Sequence, residues 1–202
     1  MEEAENCAEQ IIGSGLGKPL PDKKTLNAAM QDGKPYVLPS WRMNEIIQLA
    51  AETLSEQEYY KDNFDYKKMI LEMGIKLKKY SSFSPENLEK FTEISLSLWN
   101  EGVCLVFPDE ETGEQNRMIA YNDKKSSSEC MHIIFHELAH IIMKHTQQSI
   151  NGEVEATCFA LVMSVFVMLE QKFHFSKRLV KTAGKPLFMQ GLKEAFQPKE
   201  AS

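Results

Sequence analysis

The chain has 202 residues, 43% apolar and 26% charged, with 10 glycines and 8 prolines. That composition excludes disorder, collagen-like repeats and low complexity, and the length suffices for one domain with a substantial core. Twenty-three Lys and Arg against 29 Asp and Glu give a formal charge of −6, which argues against a strongly basic nucleic-acid binder.

The acidic start Met1-Glu2-Glu3-Ala4-Glu5 leads only to the pair Ile11-Ile12, so no secretory signal is expected. The longest apolar stretch, Ala156 to Leu169, reads as a buried core helix too short to span a bilayer. No lipidation is expected, since Glu follows Met1 and no Cys lies near the last residues. These features predict a soluble, cytoplasmic chain with no membrane partner. Cys7, Cys104, Cys130 and Cys158 lie far apart without a CxxC pair and read as free thiols acting as small hydrophobes.

Glycines and prolines break residues 1–40 into a short helix, a turn region and a second short helix at Lys24–Gln31. Ser40 is placed to cap the next helix, with Met43, Ile46, Ile47, Ala50, Ala51 and Leu54 at helical spacing. A further helix is expected over 63–79, with Phe64, Met69, Ile70, Met73 and Leu77 as its buried stripe. Ser84-Pro85-Glu86 is a helix start. Leu88, Phe91, Ile94, Ser95, Leu98 and Trp99 on one side carry that helix to Gly102. The period then changes. Val103 to Phe107 and Arg117 to Asn122 read as strands of a small antiparallel sheet joined by the polar loop 108–116. Ser126 and Glu129 have capping-box spacing and open a helix to about Lys144. A short loop leads to the apolar helix 153–170, and helical patterns follow at 176–183 and 186–196. The fold class expected is α+β: mostly helical, with the small sheet packed against a helix pair. A helical N-terminal region, 1–80, would precede a domain over 81–202, unless the two are continuous.

His136-Glu137-Leu138-Ala139-His140 fits HExxH. On a helix, positions i and i+4 share a face, so both imidazoles can bind one metal ion, while the intervening Glu can act on a water there without ligating the metal. The flanking Ile133, Ile134, Phe135, Leu138, Ile141 and Ile142 predict an apolar setting in which three polar side chains need partners. A metal supplies them; two packed histidines beside a salt-bridged Glu would be the simpler alternative. A catalytic zinc site has three protein ligands and an open position. Glu153 and Glu155, about 200° apart around the next helix, cannot both face one ion, and helix geometry alone leaves that choice open.

These residues resemble a family. Ile119-Ala120-Tyr121-Asn122, then His-Glu-Leu-Ala-His, then Glu153-Val154-Glu155-Ala156 and Phe159-Ala160 look like the ImmA/IrrE metallopeptidases over about residues 100–169. The resemblance implies a gluzincin-like zinc site: His136, His140 and Glu153 as ligands, with Glu155 as the fallback, and Glu137 as general base. It further implies an endopeptidase acting on a protein substrate such as a helix-turn-helix repressor, held as a strand along the sheet edge. The chain departs from the family in Thr157, where Asp or Asn is frequent, and in lacking a Met-Pro pair at the end of the second helix. A catalytically weak or inactive zinc-binding relative, serving as an interaction module, is the alternative.

The remaining candidates have simpler readings. Tyr121 is a candidate oxyanion donor. His132 reads as a neighbour of the site or a surface residue, His145 as a helix cap and His174 as a packing residue. Lys172, Lys177, Arg178, Lys181 and Lys185 read as a solvated face, and the methionines as core filling or groove lining.

Overall fold

The computed structural model describes residues 38–97, 101–109, 113 and 115–196, with the side chains at 186, 189, 192, 193, 195 and 196 left aside. The helices expected before residue 38, Cys7, and the apolar positions Leu98 and Trp99 lie outside the described residues.

Helix α1 spans Ser40–Glu56, α2 Tyr66–Glu72, strand β1 Lys76–Lys79 and α3 Pro85–Ile94. Strands β2 (Gly102–Pro108) and β3 (Gln115–Tyr121) precede α4 (Ser127–Ile142), α5 (Ile150–Phe173), α6 (Phe175–Ala183) and α7 (Lys185–Phe196). The fold is α+β and mostly helical, as expected. β2 and β3 pair antiparallel, Gly102 opposite Tyr121 and Cys104 opposite Ile119. The sheet is mixed rather than antiparallel, because β1 joins β3 in parallel, Leu77 beside Ile119, giving the order β1-β3-β2.

β1 corrects the single helix expected over 63–79. The helix stops at Glu72, where Gly74 takes φ 71°, a conformation open to glycine and strained for other residues. The Gly74 N–H bonds Leu71 O at 3.0 Å and the Ile75 N–H bonds Ile70 O at 3.2 Å, so the freed carbonyls are satisfied as the chain turns into the strand. The stripe itself survives: Met69 and Ile70 are buried, with Phe64, Met73 and Leu77 packed against them. α3 ends at Ile94 rather than near Gly102, because the Ser95 hydroxyl accepts the Cys104 N–H at 3.1 Å and the Leu96 N–H donates to Cys104 O at 3.1 Å. That segment runs along the outer edge of β2. Ser40 begins α1 but does not cap it; Pro39 holds the cap position.

Both faces of the sheet are covered, which explains the unbroken apolar run in β2. Val103, Leu105, Met118 and Ala120 pack with Phe91 of α3. Cys104, Ile119 and Tyr121 face the main core with Ile134, Phe135 and Leu138 of α4 and Phe159 and Met163 of α5. α4 thus lies between the sheet and α5, and α1 packs on the far side of α5. Among the described cysteines, all are free: Cys104 and Cys130 buried, Cys158 half-buried. α5 is 24 residues long and by length and composition alone is apolar enough to cross a membrane. It exceeds the stretch 156–169 because its polar ends are helical too. Its buried face, with Ala156, Phe159, Ala160, Met163 and Val167, packs in the core, while Leu161, Val165 and Met168 are exposed.

α4 begins with the expected capping box: the Ser126 hydroxyl accepts the Glu129 N–H at 3.3 Å, and Glu129 Oε2 accepts the Ser126 N–H at 2.9 Å. Ser126→Ala is expected to lower stability by about 1 kcal/mol, read as a reduced urea midpoint at unchanged slope.

Candidate metal centre

The i, i+4 spacing brings His136 and His140 to one face of α4, where they are 2% and 1% exposed. Their Nε2 atoms lie 3.3 Å apart. Glu153, in the first turn of α5, completes the group: Oε2 is 3.2 Å from His136 Nε2 and Oε1 is 3.4 Å from His140 Nε2. This buried His136–His140–Glu153 group could hold a metal ion. Its donors fit one. Ligands bound at about 2.0–2.1 Å in a tetrahedron stand about 3.3–3.4 Å from one another, the spacing these atoms have.

The turn between the helices delivers Glu153. Lys144 takes the left-handed conformation, φ 55°. Its N–H bonds Ile141 O at 3.2 Å and the His145 N–H bonds His140 O at 3.0 Å, the paired contacts of a Schellman ending. Ser149 then caps α5 by accepting the Gly152 N–H at 3.0 Å.

The same turn corrects the reading of His145 as a helix cap. Its backbone N–H does the capping, while its ring swings onto His140, Nδ1 to Nδ1 at 2.9 Å, and reaches Glu155 Oε2 through Nε2 at 3.3 Å. Gly152 gives that ring room, since a Cβ there would stand 3.2 Å from His145 Nδ1. Glu155 is turned away from the ligand group and held by Arg42 of α1, from Nε to Oε1 at 2.7 Å and from a terminal nitrogen to Oε2 at 2.9 Å. The guanidinium holds the Glu155 carboxyl below its ordinary pKa. Arg42 gave no local signal in the sequence, because its partner is 113 positions away. On the other histidine, the Thr157 hydroxyl is 3.5 Å from His136 Nδ1. A hydroxyl there can take the outer hydrogen bond that a carboxylate would otherwise accept.

Glu137 is 1% exposed. Burial, reinforced by the charge of Glu153, pushes its pKa well up, against a hydrogen bond from Ser97. Its Oε2 has no hydrogen-bond partner, a costly state for a buried carboxyl oxygen. Gly102 of β2 lies directly against it: a Cβ there would overlap the carboxyl group, standing 2.7 Å from Cγ and 2.8 Å from Cδ. Gly102→Ala is therefore expected to displace Glu137 while leaving the three-residue group in place, so that zinc binding survives and hydrolytic activity falls, checked by zinc titration beside a peptide assay.

Beside Glu137 opens a cavity of about 440 Å³, lined by Gly102, Met131, His132, Ile133, His136 and Met168 among others, with Glu101 and Lys125 also at its wall. Burial lowers the His132 pKa, with His136 adding to the effect. The methionines divide accordingly: Met118 and Met163 fill the core, while Met131 and Met168 line this cavity.

Tyr121 does not join the group. It is buried in the core, its hydroxyl hydrogen-bonded to Lys67 and its ring 5.3 Å from the Lys67 ammonium. His174 is exposed at φ 50°, forming the corner between α5 and α6 rather than packing. Lys172, Arg178, Lys181 and Lys185 are exposed, and Lys177 pairs with Asp62 at 2.5 Å. Compared with protein families, curated proteins and solved structures, the chain gives no match.

Proposed function

We propose that this chain is a zinc-dependent endopeptidase, with His136, His140 and Glu153 holding the ion and Glu137 as general base. The observation that carries this reading is Glu137 Oε2, buried without a partner one residue after the first histidine and beside an open cavity. A purely structural site has no use for such a carboxylate. Zinc in this donor set would supply Lewis-acid activation of water and of a substrate carbonyl. Glu137 would take a proton from the attacking water and return it to the leaving amine, its free Oε2 placed beside the cavity for both steps.

The polypeptide substrate would enter through the cavity, where Met131, Ile133 and Met168 offer an apolar surface for one side chain. At Cys104 the outer edge of β2 is already covered by Ser95 and Leu96, so an extended substrate segment would pair only at the Gly102 end of the strand, which borders the cavity. The resemblance noted above makes a DNA-binding repressor the substrate class to try first.

The test is metal analysis of the purified protein beside cleavage of a fluorogenic peptide mixture. About one zinc per chain, with cleavage lost to a chelator and restored by zinc, is expected. A wild type that takes up no zinc overturns the reading. One that binds zinc yet cleaves no faster than Glu137→Gln leaves the interaction module.

A further inference from the structure

Zinc sites are tuned by what holds the far side of each ligand, and here that support for His140 comes from a distant part of the chain. Four side chains form one line: Arg42 to Glu155 at 2.7 and 2.9 Å, Glu155 to His145 at 3.3 Å, and His145 to His140 at 2.9 Å. Arg42 is further oriented by Glu45, at 3.0 Å. His140 is 1% exposed, and the side chains of His145 and Glu155 are 13% and 15% exposed, so water competes little for the inner bonds, while Arg42 at 32% meets solvent.

The hydrogen positions in that line are not independent. When His140 offers Nε2 to an ion, its proton sits on Nδ1 and donates to His145 Nδ1. His145, now an acceptor at Nδ1, carries its own proton on Nε2 and donates it to Glu155 Oε2. The Glu155 carboxylate receives it at Oε2 and is itself held at both oxygens by the Arg42 guanidinium. With both rings neutral and a proton between the two Nδ1 atoms, this is the one arrangement that pairs a donor with an acceptor at every contact of the line, and it leaves His140 Nε2 open.

The geometry points to Arg42, Glu155 and His145 as positioning residues that brace His140 for metal binding and thereby couple the docking of α1 to occupancy of the site. This rests on the metal-binding part of the function proposed above, and it adds that affinity is set partly from residue 42. None of the three touches the ion or substrate. Their effect runs through the orientation and basicity of His140. Because coupling is reciprocal, zinc binding in turn tightens α1 against α5.

The experiment is zinc affinity of the full chain, by competition with a chromophoric chelator, for wild type, Glu155→Gln, Arg42→Met and the double variant. Glu155→Gln is expected to weaken zinc binding by about ten- to hundredfold, Arg42→Met by about tenfold, and the double variant no more than Glu155→Gln alone. The visible absorption of the cobalt-loaded protein should shift in each, which a merely structural loss would not cause. Zinc should slow hydrogen exchange at residues 40–45 in wild type and not in Glu155→Gln. Should a variant fold poorly, Arg42→Lys keeps the charge without the two-pronged contact and is expected to fall between wild type and Arg42→Met. Affinities within about threefold of wild type, with an unchanged cobalt spectrum, overturn the brace while leaving the zinc site standing. A wild type that binds no zinc overturns both.

Discussion

His140→Ala is expected to abolish zinc binding and, with it, all stabilisation by zinc. Wild type in zinc at a hundredfold excess over its dissociation constant should gain about 2.7 kcal/mol, seen as a rise in unfolding temperature that the variant lacks. The effect is larger than at any outer position, because His140 is one of three donors and also the end of the line running to Arg42. Removing its ring leaves His145 Nδ1 facing a void, so the metal-free variant is itself destabilised. The informative quantity is therefore the zinc-induced shift within each protein. An equal shift in wild type and His140→Ala would remove His140 from the ligand set.

The second large effect falls on chemistry rather than binding. Glu137→Gln should retain zinc and lose about 10²–10⁴ in turnover, the span for removing a positioned general base. Gln matches Glu in shape, so Gly102 still accommodates it, and it has no charge to bury. Glu137 carries a carboxyl whose ionised form burial opposes and whose Oε2 is unpartnered. The variant exchanges one unpartnered polar atom for another, so its stability should stay within about 1 kcal/mol of wild type. Loss of activity together with retained stability marks a residue kept for function. Wild-type turnover in Glu137→Gln would refute the assignment.

Local signals in the sequence located most of this. The capping box at Ser126, the i, i+4 histidines and the polar start of α5 are each written within a few residues, and the structure forms them there. The features that differ from the local pattern depend on partners far along the chain. The pattern at 63–79 suits a helix as well as a strand, because a stripe of five apolar residues cannot distinguish period 3.6 from a helix, a turn and a short strand. Gly74 and the pairing of Leu77 with Ile119 decide it. The choice between Glu153 and Glu155, open from helix geometry, turns on Arg42, which engages Glu155 and leaves Glu153 with the histidines. Capping by the His145 ring is the local reading, and it fails because Lys144, a non-glycine, adopts the left-handed turn without any signal among its neighbours. Tyr121 shares the sheet face of Ile119 and Cys104 and is spent on the core.

His136 and Glu153 are 17 positions apart, whereas Arg42 and Glu155 are separated by 113. Closing the shorter loop is cheaper by about 1.7 kcal/mol of chain entropy. A nascent chain could therefore gather all three donors from one helical hairpin once residue 153 has emerged, with the wall at Gly102 and the Arg42 contact forming as longer loops close. Capture of the ion and assembly of the base's surroundings are then separable folding events. Zinc supplied during refolding should speed formation of the α4–α5 hairpin more than the docking of α1.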